Sequence, residues 1–488
     1  MNLESCVRAS MQTMPCVEGP VEETPESYPF CAMNHSRTPL NVADYGYLEE
    51  EYFLSGKANV YDADADDKLV LKTEGLPYKN RILVRRPSDP AKFSGRVYVD
   101  ILNATQGYDI EDQWHRTYLW CMEQGHAYVG ITSKPINVQS LKNFDYYRYQ
   151  SLNWSSKQQV PSPTLFRSAT LPGTEEGLVW DIISQTVWAL RHGGEHNCLG
   201  GLKPTHIYLT GQSQSGAYLN TYVSYFDSFL EGSDGTRLFD GYLNIVGALV
   251  QRSLCQADNI GPLKLSRRKM HACATPYICL SSEADLTLFN QFLPDVDLLS
   301  IKIDNSDTLQ DKCRYYEFAG SPHTDIICPI LTDVEDIRKT GQTLPNLSPR
   351  LLCSINDFPM DIYVCGMLEQ LHRWAVNHTA PAVVPPLTRK DGKLERDDFG
   401  NALGGLRTPF VDLPIGQYIA SNPDDPEGIC GKIVYFTKDQ FLKLYGTREH
   451  YTELFDRAVK CQIADGWISE NDGTQMSRWS REAVQKLP

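Results

Sequence analysis

Residues 206–216 read His-Ile-Tyr-Leu-Thr-Gly-Gln-Ser-Gln-Ser-Gly. An apolar run enters a tight turn with Ser213 at its centre, the sequence form of a nucleophile elbow. At an elbow a strand turns sharply into a helix, and the two crowd each other around the serine. Small residues are therefore needed two places before it and two places after it. Gly211 and Ser215 hold those places, so the pattern is G-x-S-x-S, with serine where glycine is usual. Ser215 is a poorer nucleophile, because its own neighbours at that spacing are Ser213 and Ala217. The pattern alone recurs by chance, so its meaning depends on its surroundings.

Those surroundings alternate between apolar runs and helical patterns. Residues 82–84, 97–102, 127–132, 207–210, 242–250, 276–280 and 314–318 read as strands. Residues 111–124, 176–191 and 215–230 carry apolar side chains at helical spacing. This alternation predicts an α/β fold with a mainly parallel central sheet flanked by helices. Functional groups in such sheets gather at the carboxyl ends of the strands, where Ser213 stands. Residues 134–175 carry Tyr146, Tyr147, Tyr149, Trp154, Pro161 and Pro163 with little periodicity. They read equally as a lid or binding loop and as an excursion packed on the sheet. Residues 379–428 are rich in Pro and Gly, yet Leu403, Leu406, Phe410 and Val411 indicate packing. Residues 361–378 and 436–483 read as helical.

A serine hydroxyl is a weak nucleophile at neutral pH. It needs a histidine to take its proton and an acid to orient that histidine. In elbow proteins the chain order is serine, then acid, then histidine. Beyond Ser213 stand His271, His323, His372, His378 and His450. His323 follows the strand 314–318 in Ala319-Gly320-Ser321-Pro322-His323, at a strand's carboxyl end. His271 precedes a strand, His372 lies inside a helical stretch, His378 ends it, and His450 lies in the helical tail. For the acid, strand 276–280 runs into Ser281-Ser282-Glu283-Ala284-Asp285. Glu283 is favoured as nearer the strand end, with Asp285 as the alternative. The oxyanion donors expected are the backbone N–H of Gln214 and that of Ala104 or Thr105, in the loop after strand 97–102. Asn103 would shape that loop through its side chain.

Composition narrows the partners. The 488 residues are 41% hydrophobic, 22% charged and 10% aromatic, with net charge −15. That is an ordinary globular composition, long enough for one elaborated domain or two to three domains. No basic patch is present, which excludes nucleic acid as the expected partner. No signal peptide and no bilayer-length apolar window is found, so no membrane partner and a cytoplasmic location are expected. Fourteen cysteines lie scattered without C-x-x-C pairs. Cys121, Cys279 and Cys365 fall in apolar elements and read as buried thiols. Asp62-Ala63-Asp64-Ala65-Asp66 imitates a calcium loop, but Asp67 and Thr73 stand where Gly and Glu are required. His192-Gly193-Gly194-Glu195-His196 lacks the single helical face of a zinc motif. Neither a metal nor an organic cofactor is expected.

With those residues placed, the chain resembles a family of bacterial and fungal proteins named for an alpha/beta hydrolase domain. The resemblance rests on Gly-Gln-Ser-Gln-Ser-Gly at 211–216, Phe239-Asp240-Gly241, Ser282-Glu283 and Tyr316-Glu317-Phe318-Ala319-Gly320-Ser321-Pro322-His323. It extends to Glu50-Glu51-Tyr52-Phe53-Leu54-Ser55-Gly56, Leu371-His372-Arg373-Trp374 and Asn401-Ala402-Leu403-Gly404-Gly405-Leu406-Arg407, spanning about residues 40–480. It implies an α/β-hydrolase core over 41–378, an N-terminal extension over 1–40 and a packed C-terminal elaboration over 379–488. It implies Ser213, Glu283 and His323 as a triad, and no particular substrate. The expectation is a serine hydrolase cleaving a small-molecule carboxylic ester through an acyl-enzyme. The alternatives are amide hydrolysis or acyl transfer by the same triad, and a non-catalytic ligand-binding scaffold. Asn103, Tyr146 and Trp154 are expected to line the substrate, and the aromatic residues point to a hydrophobic or aromatic one, a reading rivalled by core packing. Oligomeric state stays open.

Overall fold

The computed structural model describes residues 2–156, 171, 173–194, 197–231, 236–256, 273–288, 304–324, 330–344, 355–425 and 428–487. Pro161, Pro163, Glu195, His196 and His271, weighed above, lie outside them. The chain forms two compact units. The first comprises Met1–Tyr277, Thr308–Lys312 and Pro329–Pro345, and the second Ile278–Asp307, Cys313–Cys328 and Asn346–Pro488.

The first unit is organised by strands β1 (Cys16–Glu18), β2 (Tyr47–Ala63), β3 (Leu69–Pro87), β4 (Arg96–Ile101), β5 (Ala127–Ile131), β6 (His206–Gln212) and β7 (Gly241–Ile245). Their spatial order is β1-β2-β3-β5-β4-β6-β7. β5, β4, β6 and β7 pair in parallel, as the apolar runs predict. Val97, Val99, Ile207, Leu209 and Leu243 are fully buried, since helices cover both faces of such strands. Helices Asp112–Gln124, Val179–His192 and Gln214–Phe226 follow strands, close to the predicted spans.

Two departures mark this unit. β2 and β3 form a long antiparallel hairpin that pairs with β5, where the sequence shows only a short strand at 82–84. Its interior carries charge, which a hydrophobic pattern cannot register. Arg81 and Arg85 are fully buried. Arg81 Nε donates to Glu51 at 2.7 Å, and Arg85 Nη1 and Nη2 donate to the Glu111 carboxylate at 2.6 and 2.9 Å. Each charge taken from water is matched by a hydrogen-bonded opposite charge. The second departure is β7, which ends at Ile245 rather than near 250. Val246 and Ala248 turn into the left-handed region at φ 46° and 48°. The Asn244 side chain holds that turn, accepting from Gly247 N at 3.0 Å and donating to Ala248 O at 3.1 Å. Between β2 and β3, the aspartate run forms a turn in which Asp64 Oδ1 accepts from the N–H groups of Asp66 and Lys68.

The second unit contains β8 (Tyr277–Ser282, which begins at the last residue of the first unit), β9 (Ser306–Asp307) and β10 (Lys312–Phe318), in the order β8-β10-β9. Helix Met360–Asn377 follows. Segment 379–428 is not a bare linker: Leu406, Phe410 and Val411 are buried. Arg389 closes on buried Glu317 of β10 with two bonds, at 2.6 and 3.0 Å. The predicted helical tail resolves into Lys438–Tyr445, Arg448–Ala464 and Glu470–Gln485, the first and last opened by capping boxes. Cys121, Cys279 and Cys365 are buried as expected. Among the described residues, no helix is long and apolar enough to cross a membrane.

Candidate active site

Ser213 follows the last residue of β6 and immediately precedes helix Gln214–Phe226. Its backbone lies at φ 53° and ψ −119°, a region that costs a non-glycine residue about 1–3 kcal/mol. The surroundings enforce it. Ser213 N–H donates to Ile245 O at 2.9 Å, and Ser213 O accepts from Ala217 N at 3.1 Å. A Cβ on Gly211 would stand 2.4 Å from Ser215 O, so strand and helix close up as the elbow pattern requires. The tight place after the serine is one residue later than the pattern suggests. A Cβ on Gly216 would meet Asn244 Oδ1 at 2.4 Å and the Gly247 Cα at 2.7 Å. Position 215 therefore tolerates a serine, while 216 does not tolerate a side chain.

β4 and β6 run in parallel, so the loop leaving β4 comes to the elbow. Asn103 Nδ2 donates to Gln212 O at 3.2 Å. Asn103 Oδ1 accepts from Thr105 N at 2.8 Å and from Thr105 Oγ1 at 2.7 Å. Asn103 shapes the loop as expected, and this corrects the role of Thr105, whose N–H is already engaged. Ala104 is fully buried, and its N–H meets no acceptor among the described residues. A buried backbone donor without a partner is uncommon. Ala104 is thus the better of the two candidates for the second oxyanion donor, beside Gln214 at the first position of the elbow helix.

The second unit holds the histidine and the acids. His323 lies in the loop after β10, buried, with Nδ1–H donating to Asp285 Oδ1 at 2.6 Å. In the neutral ring, that tautomer makes Nε2 the proton acceptor. The acid beside the imidazole is Asp285, which corrects the preference for Glu283. Ser282 and Asp285 explain the choice. Asp285 N–H donates to Ser282 Oγ at 3.1 Å and Ser282 N–H donates to Asp285 Oδ2 at 2.8 Å. This reciprocal pair immediately precedes the short helix Asp285–Leu288 and leaves Oδ1 to His323. Glu283 is turned to the loop's backbone. Its Oε2 accepts from Gly320 N at 2.7 Å and its Oε1 from Arg396 Nη2 at 2.7 Å.

The loop 318–324 is also gripped by residues from later in the chain. Ala319 N donates to Leu406 O at 3.2 Å, Thr324 N to Ile429 O at 3.1 Å, and Asn356 Nδ2 to Gly320 O at 2.8 Å. A family model described as an alpha/beta hydrolase domain matches residues 17–478. The chain belongs to that alpha/beta hydrolase family. No curated protein matches it. Esterase B from Lactobacillus rhamnosis is similar at 12% identity over 56% of this chain and 74% of that one, with a TM-score of 0.27. Thermogutta terrifontis esterase 2 is similar at 13% identity over 54% and 82%, with a TM-score of 0.27.

In this alpha/beta hydrolase the start of the 134–175 stretch is helical, over Pro135–Phe144 and Tyr146–Tyr149. Residues 157–170 and 172 lie outside the described residues. Trp154 is buried, and its indole N–H donates to Asn80 of β3 at 3.1 Å. That anchors the excursion to the hairpin and corrects Trp154 from a substrate contact to a packing residue. Tyr146 is 59% exposed and lies edge-on to Tyr147. Sequence reasoning passed over Lys134, buried with its ammonium donating to Ser215 Oγ at 3.2 Å. A lysine just after an apolar strand carries no signal of its own, and only the serine in the usual glycine place hinted at a partner.

Proposed function

We propose that this alpha/beta hydrolase is a serine hydrolase acting on a small-molecule carboxylic ester, with Ser213 as nucleophile, His323 as base and Asp285 as the orienting acid. The observation that carries the reading is the backbone of Ser213, held strained at the carboxyl end of β6 and opening a helix. Strain of this kind persists only where the surroundings over-determine it, and it clusters at sites of chemistry. In the proposed cycle His323 Nε2 takes the Ser213 proton as Oγ attacks the ester carbonyl. The Gln214 and Ala104 N–H groups bind the oxyanion, each contributing about 3 kcal/mol. His323 then gives its proton to the leaving alcohol and activates the water that releases the acid. Asp285 holds the Nδ1–H tautomer throughout.

A fluorophosphonate tests the reading directly. The probe is expected to label Ser213, and the label to disappear in His323→Ala. Ser213→Ala is expected to abolish 4-nitrophenyl butyrate turnover with the circular dichroism unchanged. Turnover surviving in Ser213→Ala, or labelling indifferent to His323, would overturn it.

A further inference from the structure

Lys134 is buried beneath the elbow, and its three hydrogen bonds go to neutral oxygens. Nζ donates to Leu102 O at 3.1 Å, to Ser133 Oγ at 2.7 Å and to Ser215 Oγ at 3.2 Å. It also sits 4.4 Å from the centre of the Tyr218 ring. Taking an ammonium out of water is costly, and these bonds offset that cost only in part. The acceptors belong to separate segments. Leu102 is the root of the loop that presents Ala104. Ser133 follows β5. Ser215 stands on the helix whose first N–H belongs to Gln214. One ammonium therefore spans the two sides from which the oxyanion donors come.

We propose that Lys134 is a positioning residue for ester hydrolysis, fixing the Ala104 N–H relative to the Gln214 N–H by bridging Leu102 O and Ser215 Oγ. The proposal rests on the serine-hydrolase reading above. It accounts for the serine at 215, whose hydroxyl is the acceptor a glycine would lack. Transition-state donors act through placement, and a displacement of about 1 Å can cost 10²-fold in rate.

The bridge has a pH signature. Burial lowers the Lys134 ammonium to about 7; Glu176 opposes that shift, Arg252 adds to it, and Asp109 and Asp100 oppose it. With the Tyr218 ring, these are the groups that act on it most strongly among the described residues. As pH rises through that value, the three-donor ammonium becomes a two-donor amine and one acceptor is released. kcat should then fall on the alkaline side.

The experiment measures kcat and KM for 4-nitrophenyl butyrate across pH, with fluorophosphonate labelling and thermal midpoints, in wild type, Lys134→Met and Ser215→Ala. Lys134→Met is expected to lose about 10- to 100-fold in kcat with KM within about threefold, and to lose the alkaline limb. Ser215→Ala, which keeps the lysine, is expected to lose about 3- to 10-fold in kcat at an unchanged midpoint, and it carries the test if Lys134→Met does not fold. A folded Lys134→Met with wild-type kcat and pH profile, or an unchanged kcat in Ser215→Ala, overturns the positioning role alone. A wild type that neither labels nor turns over the ester overturns the serine-hydrolase reading and this proposal with it.

Discussion

Only Ala284 separates Glu283 from Asp285, and the two carboxylates have different work. Asp285 Oδ1 accepts the His323 Nδ1–H, while Glu283 holds the backbone of the histidine loop and Arg396. An amide at 285 can present its NH2 to Nδ1 and stabilise the wrong tautomer. Asp285→Asn is therefore expected to lower kcat by about 10³- to 10⁴-fold. Glu283→Gln retains an oxygen for the Gly320 N–H and is expected to stay within about tenfold of wild type. Steady-state ester hydrolysis by the two variants decides between them, and the reverse ranking would restore Glu283. The sequence did contain the distinguishing signal. Ser282-Glu283-Ala284-Asp285 closes a reciprocal pair between the Ser282 and Asp285 side chains and backbones, which commits the aspartate to a fixed direction. Nearness to the strand end was the weaker guide, because the carboxylate's direction depends on the turn rather than on distance along the chain. Ser213 and His323 were legible because each follows an apolar run, and parallel strands buried on both faces produce such runs.

Elements meet in the first unit at points the hydrophobic pattern cannot show. Asp181, in helix Val179–His192, is fully buried where that helix meets β2 and the N-terminal helix Leu3–Met11. Its carboxylate accepts from Asn59 N at 2.7 Å, from the Tyr61 hydroxyl at 2.9 Å, and from the Ser10 hydroxyl. Burial outweighs these bonds and raises its carboxyl to about 6. The folded chain thus keeps this proton to higher pH than the unfolded chain, whose aspartates titrate near 4. Stability from this group is fully present below about 4 and is lost as pH rises to about 6, by roughly 3 kcal/mol at most. Urea midpoints of wild type and Asp181→Asn across that window check it. Wild type should lose stability relative to the variant as pH rises, and parallel curves would refute the assignment. The β2–β3 hairpin was illegible for a related reason. Arg81 and Arg85 read as surface residues until the partners across the hairpin, Glu51 and Glu49, are known.

Across the whole molecule, the two units do not follow the chain in order. The second draws on residues before, within and after the histidine loop. Within it, strand β10 and loop 318–324 are bonded to Leu406, Arg389 and Ile429. These lie in the 379–488 segment that the sequence presents as an elaboration. A chain ending at residue 378 loses those partners and leaves the Glu317 carboxylate buried without its arginine, a defect costing about 3–5 kcal/mol on its own. Such a fragment is expected to give no cooperative thermal transition and no fluorophosphonate labelling. A cooperatively melting, labelled fragment would show the segment to be dispensable. The general α/β pattern was readable because it is local in sequence. The dependence of the histidine loop on the C-terminal segment was not, because its bonds are between backbone groups far apart in the chain and leave no compositional trace.

That grip has a consequence during synthesis. A ribosome adds about 5–20 residues per second, so roughly 5–20 s separate the emergence of His323 from that of the strand partner around Cys430. Over that interval Ser213 and its elbow can already be formed, while the loop carrying the histidine still lacks one of its walls. On the proposed reading, the nascent chain stays chemically silent until the segment around Cys430 has emerged to bridge Thr324.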